Sequence, residues 1–362
     1  MHIEPFALER WFDRYEHDAD VMLAESGIRS LPADRFDTDP GDLDYVIPTD
    51  GDPELRARLG ARYGRSEAEV CVTCGTQEAN FVTILGLVDS EGAGDGSHAV
   101  VVTPTYQALS AVPAAVGDVT CVDLEPPDWR LDPDAVAAAM TDETAVVVLA
   151  NPNNPTGRYH PPDVIDAVAA IAAEHDAFLL CDEVYRLLAD EPQEPVARRF
   201  DHGISTTSLT KAWGLAGLRF GWVAGPRAVV DAAVRWKDYT TISPSIFGQH
   251  VGRQALDREE ELLAENRALA RTNREHVRRF LDEYGLAWSE PVGVNGFVRA
   301  PDGFADGTDF CRQVVERESV VLAPGEYFCN PEFFRIGFGL PTADLETGLE
   351  RVSRVIESST HD

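Results

Sequence analysis

Lysine is almost absent from this chain, and one of its two lysines lies in a segment with the composition of a ligand-binding turn. Lys211 follows Ser208 and Thr210 and precedes the glycine-rich stretch 213–219. A lysine amine can condense with an aldehyde to form a Schiff base, which an arginine guanidinium cannot do. The segment therefore makes Lys211 a candidate for covalent chemistry, although taken alone it fits a surviving surface lysine equally well.

A carboxylate follows another apolar run. Asp182 ends the run 178–181, and Glu183 and Tyr185 come directly after it. A carboxylate at the carboxyl end of a parallel strand points into the crevice where such folds bind ligands. There it can keep a pyridine nitrogen protonated, which makes the ring an electron sink. The Asp-Glu pair would also suit a divalent cation, but no further acidic cluster at a strand end supports that reading, and we expect no metal.

Two further turns follow apolar runs. The turn 151–157 is rich in Asn, Pro and Gly, and its Asn154 can donate a hydrogen bond to a ligand oxygen. The segment 74–80 leads from a strand into a helix, where Gly75 permits a close backbone approach and Thr76 adds a hydroxyl. Free N–H groups at such a helix start attract anions. Each motif by itself is also compatible with an ordinary turn or helix cap.

The elements that position these residues alternate between apolar strands and helices, which predicts an α/β fold with a mostly parallel sheet. The predicted strands are Val70–Cys74, Ala99–Thr103, Val119–Leu124, Ala145–Ala150, Phe178–Cys181, Ser205–Leu209 and Gly221–Gly225. Prolines and acidic residues at 132–134 and 161–163 predict two helix starts.

A different pattern begins near residue 286. A long charged helix over 249–284 is predicted to connect two lobes, and residues 91–97 are predicted to form a surface loop. The later segment predicts a smaller α+β lobe with strands at 296–300, 320–322 and 334–337 and a helix over 345–356.

The charge balance excludes some functions. The chain has 62 acidic and 31 basic residues and a net charge of −31, spread along its whole length. Binding of nucleic acid depends on clustered Lys and Arg, so neither nucleic acid nor an anionic membrane is an expected partner. The evenly distributed acidity predicts adaptation to high salt, where screening removes self-repulsion. No apolar run is long enough to span a membrane and no signal peptide is apparent, so we expect a cytoplasmic protein.

Several other residues that attract attention are expected to be structural. The Cys71-x-x-Cys74 spacing coincides with the end of a buried strand, and no second metal-binding pair lies nearby. Lys237 is predicted to be a surface residue of a helix. Phe12 and its aromatic neighbours at 11 and 15 are expected to anchor the N-terminal segment, with a substrate pocket as the alternative. Trp213 is expected to pack in the core.

Taken together, the motifs have a recognisable order. Gly75-Thr76, the stretch 154–157, Asp182-x-x-Tyr185 and Ser208-x-x-Lys211 follow one another, and Arg219 lies eight residues after the lysine. This order resembles the class I and II aminotransferases of pyridoxal 5′-phosphate (PLP) fold type I, from about residue 45 to the C-terminal helix. The resemblance implies a homodimer. It also implies a large PLP-binding domain (44–282) with a seven-stranded, mostly parallel sheet, and a smaller α+β domain formed from both chain ends (1–43 and 283–362).

The resemblance implies roles around the cofactor ring. Lys211 forms the Schiff base and later moves the proton between the substrate Cα and the cofactor. Asp182 pairs with the pyridinium nitrogen, while Asn154 and Tyr185 hydrogen-bond the phenolic oxygen and lower the pKa of the Schiff base. Tyr106 stacks on the ring.

The resemblance also implies how the two anionic groups are held. Arg335 clamps the substrate α-carboxylate, together with Asn154. Tyr45 reaches the phosphate of the neighbouring subunit, and Glu25-Ser26-Gly27-Ile28 takes the place of the glycine-rich N-terminal motif that is usual in this family. The residues expected around the phosphate of the same chain are Gly75, Thr76, Ser208 and Arg219.

The implied activity is transfer of an amino group from an α-amino acid to a 2-oxo acid by a ping-pong mechanism. A lyase, decarboxylase or cyclase acting at Cα or Cβ remains open, because these enzymes use the same cofactor-binding residues. A PLP-sensing regulator is a remote third interpretation, since nothing before Tyr45 has the length or the basic character of a DNA-binding domain.

Overall fold

Strands and helices alternate through the middle of the chain. The computed structural model describes residues 2–88 and 96–359. Within them the strands are β1 (Val21–Met22), β2 (Val70–Thr73), β3 (His98–Thr103), β4 (Asp118–Asp123), β5 (Thr144–Ala150), β6 (Phe178–Asp182), β7 (Gly203–Ser208), β8 (Gly221–Ala224), β9 (Asn295–Arg299), β10 (Val320–Val321), β11 (Ala323–Pro324) and β12 (Phe333–Gly337). The α-helices are α1 (Ala7–Tyr15), α2 (Pro53–Arg62), α3 (Gly75–Val88), α4 (Gln107–Ala114), α5 (Pro133–Ala139), α6 (Pro162–Glu174), α7 (Val196–Arg199), α8 (Arg227–Lys237), α9 (Ile246–Asp257), α10 (Glu259–Glu283), α11 (Gly307–Glu318) and α12 (Thr342–Ser359).

The large sheet has seven strands in the order β2-β8-β7-β6-β5-β3-β4. The strands β3 to β7 are parallel, and β8 is antiparallel to both of its neighbours, β2 and β7. These strands confirm the predicted α/β fold with a mostly parallel seven-stranded sheet. Ala150 is in register with Asp182, and Asp182 with Thr206. The carboxyl ends of β5, β6 and β7 therefore lie at one edge, where an open parallel sheet binds ligands.

Helices cover both faces of the sheet, which explains why its central strands are apolar throughout. Along β5, Val146 and Val148 belong to the same buried cluster as Ile84 of α3. The alternate residue, Val147, belongs to a second buried cluster that contains Ile165 of α6. Because successive strand side chains point to opposite faces, the continuous Val and Leu pattern supplies two cores at once.

The two ends of the chain come together away from this sheet. Val21 and Met22 of β1 pair with Val320 and Val321 of β10. The Trp11 indole N–H donates to the Leu322 carbonyl over 2.9 Å, as expected of an anchoring aromatic residue. A separate antiparallel sheet has the order β11-β12-β9. Strands were predicted at 296–300, 320–322 and 334–337, where β9, β10 and β12 lie, whereas β1 and the short strand β11 directly after β10 were not predicted.

The predicted long helix 249–284 is two helices. Arg258 has φ −107° and ψ 22°, outside the helical region, and it separates α9 from α10. Its guanidinium donates to the Arg35 carbonyl over 2.8 Å, so the break ties this region to the N-terminal segment. Within the described ranges, no helix combines the length and apolar character that a membrane crossing demands. The predicted loop 91–97 lies, for residues 91–95, outside the described residues.

The prediction that Lys237 is a surface residue is wrong, because its side chain is buried at the end of α8. Its Nζ donates to Thr241 Oγ1 over 3.0 Å and to the Ile242 carbonyl over 2.9 Å. Burial lowers the pKa of this amine, and the charge of Glu78 partly opposes that effect. The chain turns back after α8 and replaces water around the amine, an arrangement that local sequence does not show.

Candidate active site

A cavity of about 280 Å³ opens at the carboxyl ends of the central strands. Most of the side chains predicted to do chemistry line it: Thr76, Tyr106, Asn154, Asp182, Tyr185, Ser208, Lys211, Arg219 and Arg335. Residues of different strand-end turns converge here because the parallel strands end at one edge.

Lys211 reaches this cavity from the turn that follows β7. Its Nζ lies 2.8 Å from Oε1 of Glu25, a residue of the N-terminal segment. Burial lowers the pKa of Lys211, but the charge of Glu25 and the hydrogen bond to Glu25 outweigh it, so the pKa is raised. The charge of Lys211 lowers the pKa of Glu25 in return. Without a ligand, the two side chains therefore form a fully charged pair.

Asp182 ends β6 as a buried carboxylate held in a fixed orientation. Asn80 Nδ2 donates to Asp182 Oδ2 over 2.8 Å, and the Val184 N–H donates to Oδ1 over 3.1 Å. Thr206 Oγ1 in turn donates to Asn80 Oδ1 over 2.5 Å. Burial raises the pKa of Asp182 to about 6, and the hydrogen bonds and the charge of Lys211 oppose part of that rise. Such a carboxylate is suited to a cationic ligand atom that would restore its charged state.

Asn80 ends the segment 74–80, and the sequence predicted no role for it. It lies four residues after Thr76 on α3, so both side chains project from one side of the helix. Both line the cavity, together with Gln77. This helical spacing after a strand–glycine turn was the signal that could have identified Asn80 as the residue that orients Asp182.

Arg335 is buried in β12, with 2 % of its surface exposed, and it meets Asn154 in the cavity. Its Nη1 donates to Asn154 Oδ1 over 2.9 Å and its Nη2 donates to the Ala24 carbonyl over 2.7 Å. Its guanidinium carbon lies 5.2 Å from the centre of the Phe328 ring. Burial lowers the pKa of Arg335, which the charges of Tyr185 and Glu25 oppose. Arg335 Nε is buried without a hydrogen-bond partner, and no carboxylate of the described residues pairs with this guanidinium, so the part of Arg335 that lines the cavity suits an anionic ligand.

The start of α3 forms an anion site with Arg219. Gly75 has φ +81°, a conformation that residues with a Cβ rarely adopt, and a Cβ there would lie 2.9 Å from Arg219 Nη2. Thr76 Oγ1 is buried without a partner, and Ser208 lines the same cavity. Free N–H groups at a helix start, an unpaired hydroxyl and a guanidinium suit a phosphate. The residues present therefore fit the phosphate of PLP, just as Lys211 fits its aldehyde.

Tyr106 lies between the cavity and the N-terminal segment. Its hydroxyl donates to Glu9 Oε1 over 3.0 Å, and its ring centre lies 4.9 Å from that of Phe6. Burial and the adjacent Glu9 raise the pKa of Tyr106, so it remains a neutral donor. Tyr185, which is also buried, lines the cavity as an aromatic wall.

Residues 24–26 line the cavity, in the segment predicted to take the place of the glycine-rich N-terminal motif. The Ile28 N–H donates to the Lys211 carbonyl over 3.2 Å, which fixes the segment against the lysine turn. A Cβ on Gly27 would lie 3.1 Å from Glu25 Oε1 and 3.2 Å from Lys211 Cδ. A glycine at this position therefore allows the Glu25–Lys211 pair to close. The sequence identified the wall but not this pairing.

Tyr45 is the predicted site residue that lies away from the cavity of its own chain, with 80 % of its surface exposed. Gly75 contributes through its backbone and is absent from the cavity lining. Among the described residues, no group of three or more His, Cys, Asp or Glu side chains could hold a metal ion.

Comparison with known proteins agrees with this geometry. The sequence model of the family "Aminotransferase class I and II" matches residues 20–352. Capreomycidine synthase from Streptomyces vinaceus is 31% identical, with 98% of this chain and 94% of that protein covered. The crystal structure of a PLP-dependent aminotransferase from Streptococcus suis has a TM-score of 0.91 at 27% identity and covers 99% of both chains. The PLP-dependent cyclase OrfR has a TM-score of 0.86 at 28% identity, with 99% of this chain and 98% of that chain covered.

The fold and the cavity define a PLP-dependent enzyme of fold type I. The chain belongs to the aminotransferase class I and II family.

Proposed function

We propose that this enzyme transfers an amino group from an α-amino acid to a 2-oxo acid by a ping-pong mechanism. The observation that carries the proposal is a single cavity lined by the Lys211 amine, the buried Asp182 carboxylate and the buried Arg335 guanidinium. An amine, a carboxylate for a ring nitrogen and a clamp for an α-carboxylate are what amino-acid chemistry with PLP requires. Membership of the family supports the same reaction.

Each of these side chains either contacts the cofactor or holds or carries a proton. When bound, PLP supplies an aldehyde for the amine and a ring that takes up the electron pair left at the substrate Cα. Lys211 Nζ would hold PLP through its aldehyde and, once released, would carry the Cα proton. Asp182, oriented by Asn80, would keep the ring nitrogen protonated, and Asn154 and Tyr185 would hydrogen-bond the phenolic oxygen.

The remaining assignments concern contacts with anions and stacking. Tyr106 stacks on the ring. Arg335 and Asn154 bind the substrate α-carboxylate, which leaves the Cα–H bond facing the lysine. The phosphate is assigned to Gly75, Thr76, Ser208 and Arg219.

The test is a half-reaction followed by covalent trapping. Borohydride reduction of the purified holoenzyme is expected to leave a pyridoxyl group on Lys211 and none on Lys237, which mass spectrometry of the two lysine peptides would resolve. An amino acid added alone is expected to abolish the cofactor's visible absorbance and release the matching 2-oxo acid. Lys211→Arg is the control, because it keeps the positive charge beside Glu25 but cannot bond to an aldehyde. Full turnover by Lys211→Arg would refute the proposal.

A cyclase or lyase acting at Cα or Cβ is the second candidate. It is favoured by the likeness to capreomycidine synthase and to the cyclase OrfR over nearly the whole chain. The carboxylate of Glu25 beside Lys211 also supplies a second acid–base group at the reaction centre. Persistent visible absorbance would select this candidate, with ammonia and a 2-oxo acid released together by a lyase, or a cyclised amino acid released by a cyclase.

We also propose a homodimer that works in a salt-rich cytoplasm. The exposure of Leu43, Tyr45 and Ile47 supports an interface at 43–47, through which Tyr45 would reach the partner's phosphate site. The net charge of −31 supports the salt-rich setting. The division into domains 44–282 and 1–43 with 283–362 is a proposal supported by the β1–β10 pairing of the chain ends. Sedimentation in molar KCl, compared between the chain and a Tyr45→Ala, Ile47→Ser variant, tests the interface.

A further inference from the structure

The wall of the cavity contributed by the N-terminal chain is acidic. Glu9 and Glu16 line the cavity from α1 and the residue that follows it, and Glu25 lines it from the segment after β1. The proposed handling of the cofactor accounts for Asp182 but uses neither Glu9 nor Glu16.

The spacing along α1 explains how two of these carboxylates share a face. Glu9, Phe12 and Glu16 are three and four residues apart, so they form one stripe along the helix. Phe12 lines the cavity between the two carboxylates. The stripe therefore presents two anions and one aromatic ring to the cavity. Aromatic faces and carboxylates both attract organic cations.

Among the described residues no protein cation forms an ion pair with the stripe, although the charge of Glu9 acts on Arg335 and opposes the fall in the pKa of that guanidinium. Glu16 forms no ion pair among the residues that the structure describes, and Glu9 accepts only the neutral hydroxyl of Tyr106. The cations of the cavity lining are Lys211, Arg219 and Arg335, and each is committed elsewhere. A ligand that covers an unpaired carboxylate without neutralising it loses affinity, because the charge is desolvated without compensation.

The orientation of the substrate directs its side chain towards this acidic wall. Arg335 is a buried cation in the cavity lining, which identifies a place for a carboxylate independently of the acidic residues. Its Nη2 donates to the carbonyl of Ala24, the residue directly before Glu25. An amino acid whose α-carboxylate lies on Arg335 therefore begins next to the acidic wall.

Glu25 is the third carboxylate of the wall. In the unliganded chain it pairs with Lys211 Nζ over 2.8 Å. This ion pair would weaken wherever PLP engages Lys211 or the amine is uncharged, and the Glu25 carboxylate would then be available to a substrate cation.

We propose that Glu9, Glu16 and Glu25 select amino acids whose side chain ends in a cation, a guanidinium or an ammonium group. The inference rests on the proposed function, since it assumes that the cavity binds an α-amino acid through Arg335. It excludes a preference for acidic side chains, because those would meet the same three carboxylates as like charges.

The test compares substrates that differ in charge and little else. Holoenzyme is titrated with L-arginine and with its uncharged analogue L-citrulline, and likewise with L-lysine and L-norleucine, while the cofactor absorbance is followed. The charged member of at least one pair is expected to reach half-saturation at a concentration about tenfold lower, as a charge-assisted hydrogen bond gives. L-Glutamate is expected to bind more weakly than either neutral analogue. Equal affinities within both pairs, or a preference for L-glutamate, would overturn the proposal.

A pair of variants separates the wall from the overall charge of the protein. Glu16→Gln is expected to reduce the preference for the cationic substrate about fivefold to tenfold. The matched control is Asp13→Asn, which removes one charge from the exposed side of the same helix. It is expected to leave the preference unchanged, and equal effects of the two changes would contradict the proposal.

Calorimetric titration of the same amino acids into borohydride-reduced enzyme measures binding without turnover. If no amino acid changes the cofactor spectrum, the proposed reaction fails while calorimetry still decides the selectivity. If the spectrum responds to all amino acids alike, the reaction stands and the acidic-wall proposal fails.

Discussion

Glu25 Oε1 lies 2.8 Å from Lys211 Nζ, although 186 positions separate the two residues in the sequence. The pair joins the N-terminal segment to the turn after β7, and it holds in its charged form the amine that must bond to PLP. Since only an uncharged amine attacks an aldehyde, Glu25 stabilises the unliganded lysine in its unreactive state. Capture of the cofactor must therefore include loss of a proton from Lys211.

The first prediction concerns the pH dependence of cofactor capture. Glu25 raises the pKa of Lys211, so the rate at which apoenzyme captures PLP should increase with pH through the alkaline range. Glu25→Gln removes the charge that raises this pKa, so its rate profile should shift to lower pH. Stopped-flow absorbance of the bound cofactor measures the profile. Superimposable profiles for the two proteins would contradict the role of Glu25.

The second prediction concerns the stability of the apoenzyme. The pKa of Asp182 is raised to about 6 by burial, above its value in an unfolded chain, so the folded protein retains a proton that the unfolded chain releases. This contribution to stability is present below the unfolded pKa and is lost as pH rises towards 6. Asp182→Asn stays neutral throughout. The stability of the apo variant should therefore increase relative to that of wild type by about 2 kcal/mol between pH 4 and pH 6.

Denaturant unfolding at several pH values measures this difference. Subtracting the variant from wild type cancels the contributions of other groups that titrate in the same range. A constant difference across the range would show that Asp182 does not carry the raised pKa. With PLP bound the difference should narrow or reverse, because a protonated ring nitrogen favours the charged carboxylate.

The residues at strand ends were predictable because their position follows from local pattern. An apolar run that ends in Asp182, or a turn that begins at Asn151, identifies its own place at the carboxyl edge of a parallel sheet. The contacts made by Asn80 and Glu25 depend instead on how distant segments cross. Burial of Lys237 depends likewise on a turn beyond α8, so its sequence context resembled an ordinary helix surface. In each case the missing information was a tertiary contact between segments that are distant in the sequence.

The third prediction concerns the phosphate site. Gly75→Ala places a Cβ 2.9 Å from Arg219 Nη2 and puts a side chain on a residue with φ +81°. The start of α3 and the guanidinium must then move apart, so affinity for PLP should fall about tenfold or more. Pyridoxal, which has the aldehyde but no phosphate, provides the control ligand. Its affinity should change little, and an equal loss for both ligands would show that the substitution acts on the whole cavity.

The last prediction concerns salt. At a net charge of −31 the folded chain repels itself, and 1 M salt shortens the range of that repulsion to about 3 Å. The apoenzyme should therefore melt more than about 5 °C higher in 2 M KCl than in dilute buffer, since each kcal/mol of relieved repulsion moves the Tm of a large domain by roughly 2 °C. Sucrose at matched osmolality is the control, because it stabilises by exclusion from the surface and screens no charge. An equal rise of the Tm in sucrose and in KCl, or no rise in either, would mean that repulsion within the acidic surface does not make the stability depend on salt.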